Sequence, residues 1–192
     1  MFSNDNPSTW IKVDRSNQSR IRTMLCWEHI SAAGEPLLAA SITYFEGSSF
    51  RSLMLRIPCN ATFETGVRAY VRTDEKTDQR DSATDLLLKF ISCNGAGCFA
   101  MGDATEEFLH LMSKGDCMIA EARDADNRPV EFTIPLNGFN KAQSDVAITY
   151  EDFSKKREDL IMRPPQKVVL PNTRELIFSF IAPGYPNRQP SD

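Results

Sequence analysis

The residues best placed to do local chemistry are Cys93 and Cys98, five positions apart in the stretch FISCNGAGCFAM that runs from Phe90 to Met101. Such a pair can be a disulfide, half of a metal site or a redox dithiol. A zinc centre needs four Cys or His ligands, and the two histidines, His29 and His110, stand at no ligand spacing from each other or from the other cysteines. A redox dithiol wants two intervening residues at a helix start, where the helix dipole lowers the thiol pKa. Here the four residues Asn94-Gly95-Ala96-Gly97 intervene between two apolar runs. The spacing therefore favours a structural disulfide across a tight turn, worth about 2 kcal/mol in so short a loop. That chemistry implies an oxidising compartment and an exported protein. Cys26, Cys59 and Cys117 remain, and three thiols allow at most one further intrachain bridge, which the sequence does not choose.

Other constellations read more plainly. Gly95-Ala96-Gly97 lacks the helix start and the Lys or Ser/Thr that a phosphate loop requires, so these are turn residues. Neither His29 nor His110 has a nucleophile nearby in a recognisable elbow, and His110 reads as a surface or boundary residue of a helix. Asp74, Glu75, Asp78 and Asp81 lack the alternating ligands and central Gly of a calcium loop and read as a solvated loop. Arg56, Arg68 and Arg72 make either a small anion-binding patch or the wet face of strands. No catalytic residue, metal or cofactor is expected.

The elements that must position these residues read mostly as short strands. Trp10 to Val13 begins the first, and Ile21, Thr23, Leu25 and Trp27 alternate with Arg22, Met24, Cys26 and Glu28 in a second. Leu37 to Phe45 and Phe50 to Ile57 flank the turn Glu46-Gly47-Ser48-Ser49 as paired central strands, and Pro58 ends the second of them. Val67, Ala69 and Val71 make a half-exposed strand, and Thr73 to Asp85 a charged loop. Leu86 to Ile91 and Phe99 to Met101 run to and from the cysteine turn. Asp103 and Glu106 have capping-box spacing before Phe108, Leu109, Leu111 and Met112, which recur as on a helix until Lys114-Gly115. Met118 to Ala122 and Val130 to Ile134 flank a further turn, and Pro135-Leu136-Asn137-Gly138-Phe139 closes the series. Beyond Asp145, Tyr150 to Met162 reads as a short helix, Val168 to Leu170 and Leu176 to Ala182 as strand-like runs, and Pro183, Pro186 and Pro190 as a mobile end.

Many short strands with turn signals about every 8 to 12 residues point to a mainly β fold, an Ig-like antiparallel β-sandwich with one short helix and a C-terminal extension. We divide the chain into a sandwich domain, residues 1–145, and an extension, residues 146–192. With 192 residues, 41% of them hydrophobic, a substantial core is expected. The apolar runs fall far short of the roughly 20 residues that a spanning helix needs. A net charge of −4 with both signs interspersed leaves no broad cationic surface for nucleic acid. No secretory hydrophobic segment opens the chain, so export implies a signal peptide already removed.

Between Trp10 and Ala142 the chain resembles the invasion-associated locus B family of exported alphaproteobacterial proteins. The carriers are Trp10-Ile11-Lys12-Val13, Cys26, Leu55-Arg56-Ile57-Pro58 followed by Gly66, FISCNGAGCFA, Lys114-Gly115 and Ile134-Pro135-Leu136-Asn137-Gly138-Phe139. Where the family pattern places a cysteine shortly after the Trp, this chain has Asp14, so the bridge expected of Cys26 is missing or rerouted, with Cys59 and Cys117 as added candidates. The resemblance implies a periplasmic or envelope-associated β-sandwich, linked to host-cell invasion in some pathogens, with no established enzymatic activity. The leading expectation is a non-enzymatic envelope protein that binds another protein, with Leu176, Phe178 and Phe180 as candidate contacts that could add a strand to a sheet edge. The competing reading is a small-ligand carrier or enzyme with a pocket between the sheets, holding His29 or the Arg56, Arg68, Arg72 set.

Overall fold

The structure is a computed structural model and describes residues 9–16, 21–30, 36–58, 65–72, 84–95, 97–124 and 126–162. The strands are β1 (Ile11–Asp14), β2 (Ile21–Ile30), β3 (Pro36–Phe45), β4 (Arg51–Ile57), β5 (Val67–Arg72), β6 (Leu86–Asn94), β7 (Gly97–Asp103), β8 (Cys117–Arg123) and β9 (Pro129–Pro135). The helices are α1 (Glu106–Lys114), α2 (Phe139–Ser144) and α3 (Tyr150–Met162). All nine strands join one antiparallel sheet in the order β1-β2-β3-β4-β7-β6-β5-β8-β9. The fold is thus mainly β with short helices, and the sheet is curled into a half-barrel.

The curl is built at β6. Its first residues, Leu86 to Leu88, pair with β5, whereas Lys89 to Asn94 pair with β7 across a register shift between Phe90 and Ser92. An extra residue in one strand bends it and increases its twist. One strand thereby serves both halves of the sheet. The concave face carries Leu25, Trp27, Ile42, Leu53, Leu55, Leu88 and Ala100 on one side of the bend and Val67, Ala69, Met118, Ala120 and Ile134 on the other, all in a single core. Phe108 and Met112 of α1 and Phe139 of α2 fill it.

Alternation accounts for much of the sheet, but β2 departs from it, as do β3 at Ala40 to Ile42 and β8 at Met118 to Ala120. Leu25, Cys26 and Trp27 are buried in succession, because both faces of the strand are covered. α3 reaches across the convex side, where Arg157 Nε meets Glu28 Oε2 at 2.8 Å and the Arg15 guanidinium lies 4.2 Å from the Tyr150 ring centre. Residues leading into α3 also close the edge of β1: Asp14 N donates to Ile148 O, and Ile148 N donates to Lys12 O.

Two local expectations are corrected. The cap of α1 is Thr105, whose Oγ1 accepts from Phe108 N at 3.1 Å, and not Asp103, which still pairs with Ser52 as the last residue of β7. The fold also has α2, which the expectation of a single short helix before the tail omitted. Six residues are too few to show a helical period, and Gly138 at φ 81 turns the chain into it. Of the loop expected over Thr73 to Asp85, residues 73–83 lie outside the described residues, as do the strand-like runs after Met162.

Candidate functional site

Cys93 and Cys98 are disulfide-bonded and face each other near the end of the β6–β7 hairpin, with Asn94 opposite Gly97 beyond them. Cys98 is part of the core, so the bridge pins the hairpin tip to the concave side. Gly97, at φ 136, lies so close to β4 that a Cβ there would be 3.0 Å from Ile57 O and 3.1 Å from Arg56 Nε. The glycine admits the neighbouring strand. β7 starts at this residue, so no helix N-terminus is aimed at the turn.

Cys26 and Cys117 are not joined to each other; β2 and β8 stand toward opposite ends of the strand order. Cys59 lies outside the described residues. Cys26 is 6% exposed, and burial pushes its thiol up to about 12, with the Glu28 carboxylate adding to the rise and Arg15 opposing it. A thiol so held is a small hydrophobe and a poor nucleophile.

The residues of the Trp10 and Pro135-Leu136-Asn137-Gly138-Phe139 motifs, distant in sequence, meet in one joint. Trp10 Nε1 donates to Pro135 O at 2.9 Å, and its ring packs edge-on against Phe139 with centroids 5.1 Å apart. Gly138 is held both by its left-handed backbone and by Thr9, whose Oγ1 would be 2.6 Å from an added Cβ. This joint sets where β9 hands the chain to α2.

The arginines do not converge. Arg68 pairs with Glu121 at 3.2 Å and with Asp85 at 3.7 Å; Arg72 pairs with Glu131 at 3.5 Å, and Tyr70 donates to the same carboxylate at 3.0 Å. These ion pairs tie β5 to β8, to β9 and to Asp85 just before β6, and their carboxylates leave no anion patch. Arg56 is on β4 in the other half of the sheet, its guanidinium 5.8 Å from the Phe99 ring centre. His29 is half-buried on β2 opposite Leu38. The acidic cluster from Asp74 to Asp81 and the candidate contacts Leu176, Phe178 and Phe180 lie outside the described residues. Among the described residues no group of three or more His, Cys, Asp or Glu is arranged to hold a metal ion.

Two surfaces were not legible in the sequence. One is a cleft of about 430 Å³ where the concave face is left partly uncovered by α1. Thr23, Leu25, Tyr44 and Arg51 line it from the sheet, Glu106, Leu109, His110 and Ser113 from α1, and Lys12 and Gln143 from the end near α2. It lies between sheet and helix, and neither His29 nor Arg56, Arg68 or Arg72 contributes to it. The other is on the convex face. Leu87 is 65%, Ile91 54% and Met101 42% exposed; Met101 stands opposite both Met54 on β4 and Lys89 on β6. Each residue alone looks like an unremarkable strand position; Leu87 and Ile91 flank Lys89 along β6, and the pairing of β6 with β7 sets Met101 opposite that lysine.

These features define a curled, mainly β antiparallel domain with a pinned hairpin, exposed apolar residues on its convex face and no catalytic constellation among the described residues. The model of the family described as "Invasion associated locus B (IalB) protein" matches residues 28–147, more than half of the chain, and the chain belongs to that family. Its fold is similar to that in a crystal structure of invasion associated protein B from Bartonella henselae, with a TM-score of 0.56 and 16% sequence identity over 71% of this chain and 89% of that one. A comparison with curated proteins finds no match. Membership makes this an exported protein of the periplasm or cell envelope that acts through protein interaction. No helix among the described residues is long and apolar enough to cross a membrane.

Proposed function

We propose that the protein works in the envelope by binding a partner protein through the convex face of β4, β7 and β6, with the segment holding Leu176, Phe178 and Phe180 as a second contact. The observation that carries this reading is the exposure of Leu87, Ile91 and Met101 around Lys89 on the paired strands β6 and β7, with Leu87 opposite Arg68 of β5. Single exposed apolar residues are ordinary, whereas a cluster on one sheet face marks an interaction surface. Lys89 stands within the cluster and Arg56 borders it, so the matching partner segment is apolar with flanking carboxylates. Leu176, Phe178 and Phe180 alternate, and an extended chain would present all three on one side. On this reading the two halves of the curled sheet act as the layers of an Ig-like sandwich. Residues 1–145 are its domain, residues 146–192 the extension, and any further bridge involves Cys59.

The test is capture from an envelope extract on the immobilised full chain. A discrete protein should be retained by the unaltered chain and lost by the Leu87→Glu/Ile91→Glu double variant, whose thermal unfolding should be unchanged because both side chains are exposed. Retention by that variant would remove the convex face from the account. Deleting residues 165–192 should leave a folded domain with weakened capture; unfolding on deletion would make the segment a strand of the fold itself.

A further inference from the structure

The cleft on the concave side is separate from the convex surface, and its chemistry is different. Its base is apolar, made by Leu25 and Leu109, both buried. Glu106, Leu109, His110 and Ser113 fall at i, i+3, i+4 and i+7 of α1, so one stripe of the helix faces the opening. Above the base stand Tyr44 and Gln143, whose Oε1 accepts from Ser113 Oγ at 3.4 Å. Two cations reach the same space. Lys12 Nζ donates to Gln143 O at 3.0 Å and to Asp145 O at 3.3 Å, which fixes the ammonium and uses two of its three N–H groups. The Arg51 guanidinium stands 5.8 Å from the Tyr44 ring centre and gives two N–H groups, at 3.1 Å each, to a single oxygen of Glu106. Glu106 is 81% exposed on its side chain, so the solvent-facing carboxylate is readily exchanged for another. Among the described residues it is also the only carboxylate lining the cleft, where Lys12 and Arg51 outnumber it in a chain of net charge −4.

From this geometry we infer that the cleft is a binding site for a small amphipathic carboxylate, its apolar body on Leu25 and Leu109 and its carboxylate on Arg51 in place of Glu106, with Lys12 adding charge. A volume of about 430 Å³ falls within the range of small-molecule sites, roughly 300–1,000 Å³. The base supplies burial of the chain, at about 25 cal/mol per Å² of apolar surface, and the guanidinium supplies orientation through a charge-assisted, planar pairing. This site does not depend on the convex face, and either can be wrong without the other.

The test uses the full chain with ¹³C-labelled Leu methyl groups, octanoate as probe and octan-1-ol as its uncharged counterpart. Octanoate should shift the Leu25 and Leu109 methyl resonances saturably, and octan-1-ol should bind about fivefold or more weakly, a difference of about 1 kcal/mol. Arg51→Gln should erase that preference. His110→Glu, an exposed change that leaves the core untouched, should weaken octanoate and leave octan-1-ol alone. Equal binding of the two probes, or shifts that do not saturate at Leu25 and Leu109, would overturn the proposal. So would an octanoate affinity unchanged in His110→Glu.

Discussion

Cys26 is the residue whose surroundings make the sharpest quantitative demand. Burial raises its thiol pKa from the ordinary 9.0 to about 12. The folded state therefore holds the proton more tightly than the unfolded chain does, so the stabilisation is fully present below pH 9 and is lost as pH rises toward 12. At pH 10 the loss is on the order of 1 kcal/mol. Urea melts at pH 8 and pH 10 should show that difference in the natural chain, and a clearly smaller one in Cys26→Ala; equal pH slopes in the two proteins would contradict the burial argument. The reach of the sequence at this scale is uneven. The spacing of Cys93 and Cys98 argues for a bridge because a five-residue separation is a local fact. The inertness of Cys26 is not local: it needs α3, well over a hundred positions away, to cover the convex side of β2.

At the scale of elements, the strands were legible because alternation and turn residues act over a few positions. β1 to β9 all fall on stretches that read as strands, and α3 on the expected helix. What escaped was set by pairing. β4 does not lie beside β5 but beside β7, and β6 divides its hydrogen bonds between two neighbours at a bulge; no periodicity records such choices. α2 escaped because its position is fixed by the Trp10 joint and not by its own six residues. That joint should therefore behave as a keystone between the first strand and the last. Trp10→Ala should cost about 3–5 kcal/mol, as for a large buried aromatic. Trp10→Phe, which keeps a packed ring but leaves the Pro135 carbonyl without its donor, should cost about 1–2 kcal/mol. Denaturant melts distinguish the two, and equal small effects would show that the joint does not hold the ends of the sheet together.

For the whole molecule, family membership and covalent chemistry agree: an IalB-family chain carries a disulfide-pinned hairpin, as suits an exported protein. The curled sheet divides its surfaces by chemistry. The concave side holds the core and the cleft lined by Lys12 and Arg51, the end near β1 is closed by residues leading to α3, and the convex face of β7 and β6 presents Leu87, Ile91 and Met101 to solvent. Surfaces of this kind are assembled by topology, which is why neither could be read from the sequence, while the mainly β character and the compartment could. The claim that the protein acts by holding a partner in the envelope is tested most directly by placing a photo-crosslinking residue at position 91, in place of Ile91, and irradiating intact cells. A single adduct with a second polypeptide, recovered from the envelope fraction and abolished by Leu87→Glu, is the predicted result. Efficient expression with no adduct, or recovery of the chain from the cytoplasm with Cys93 and Cys98 reactive as thiols, would contradict it.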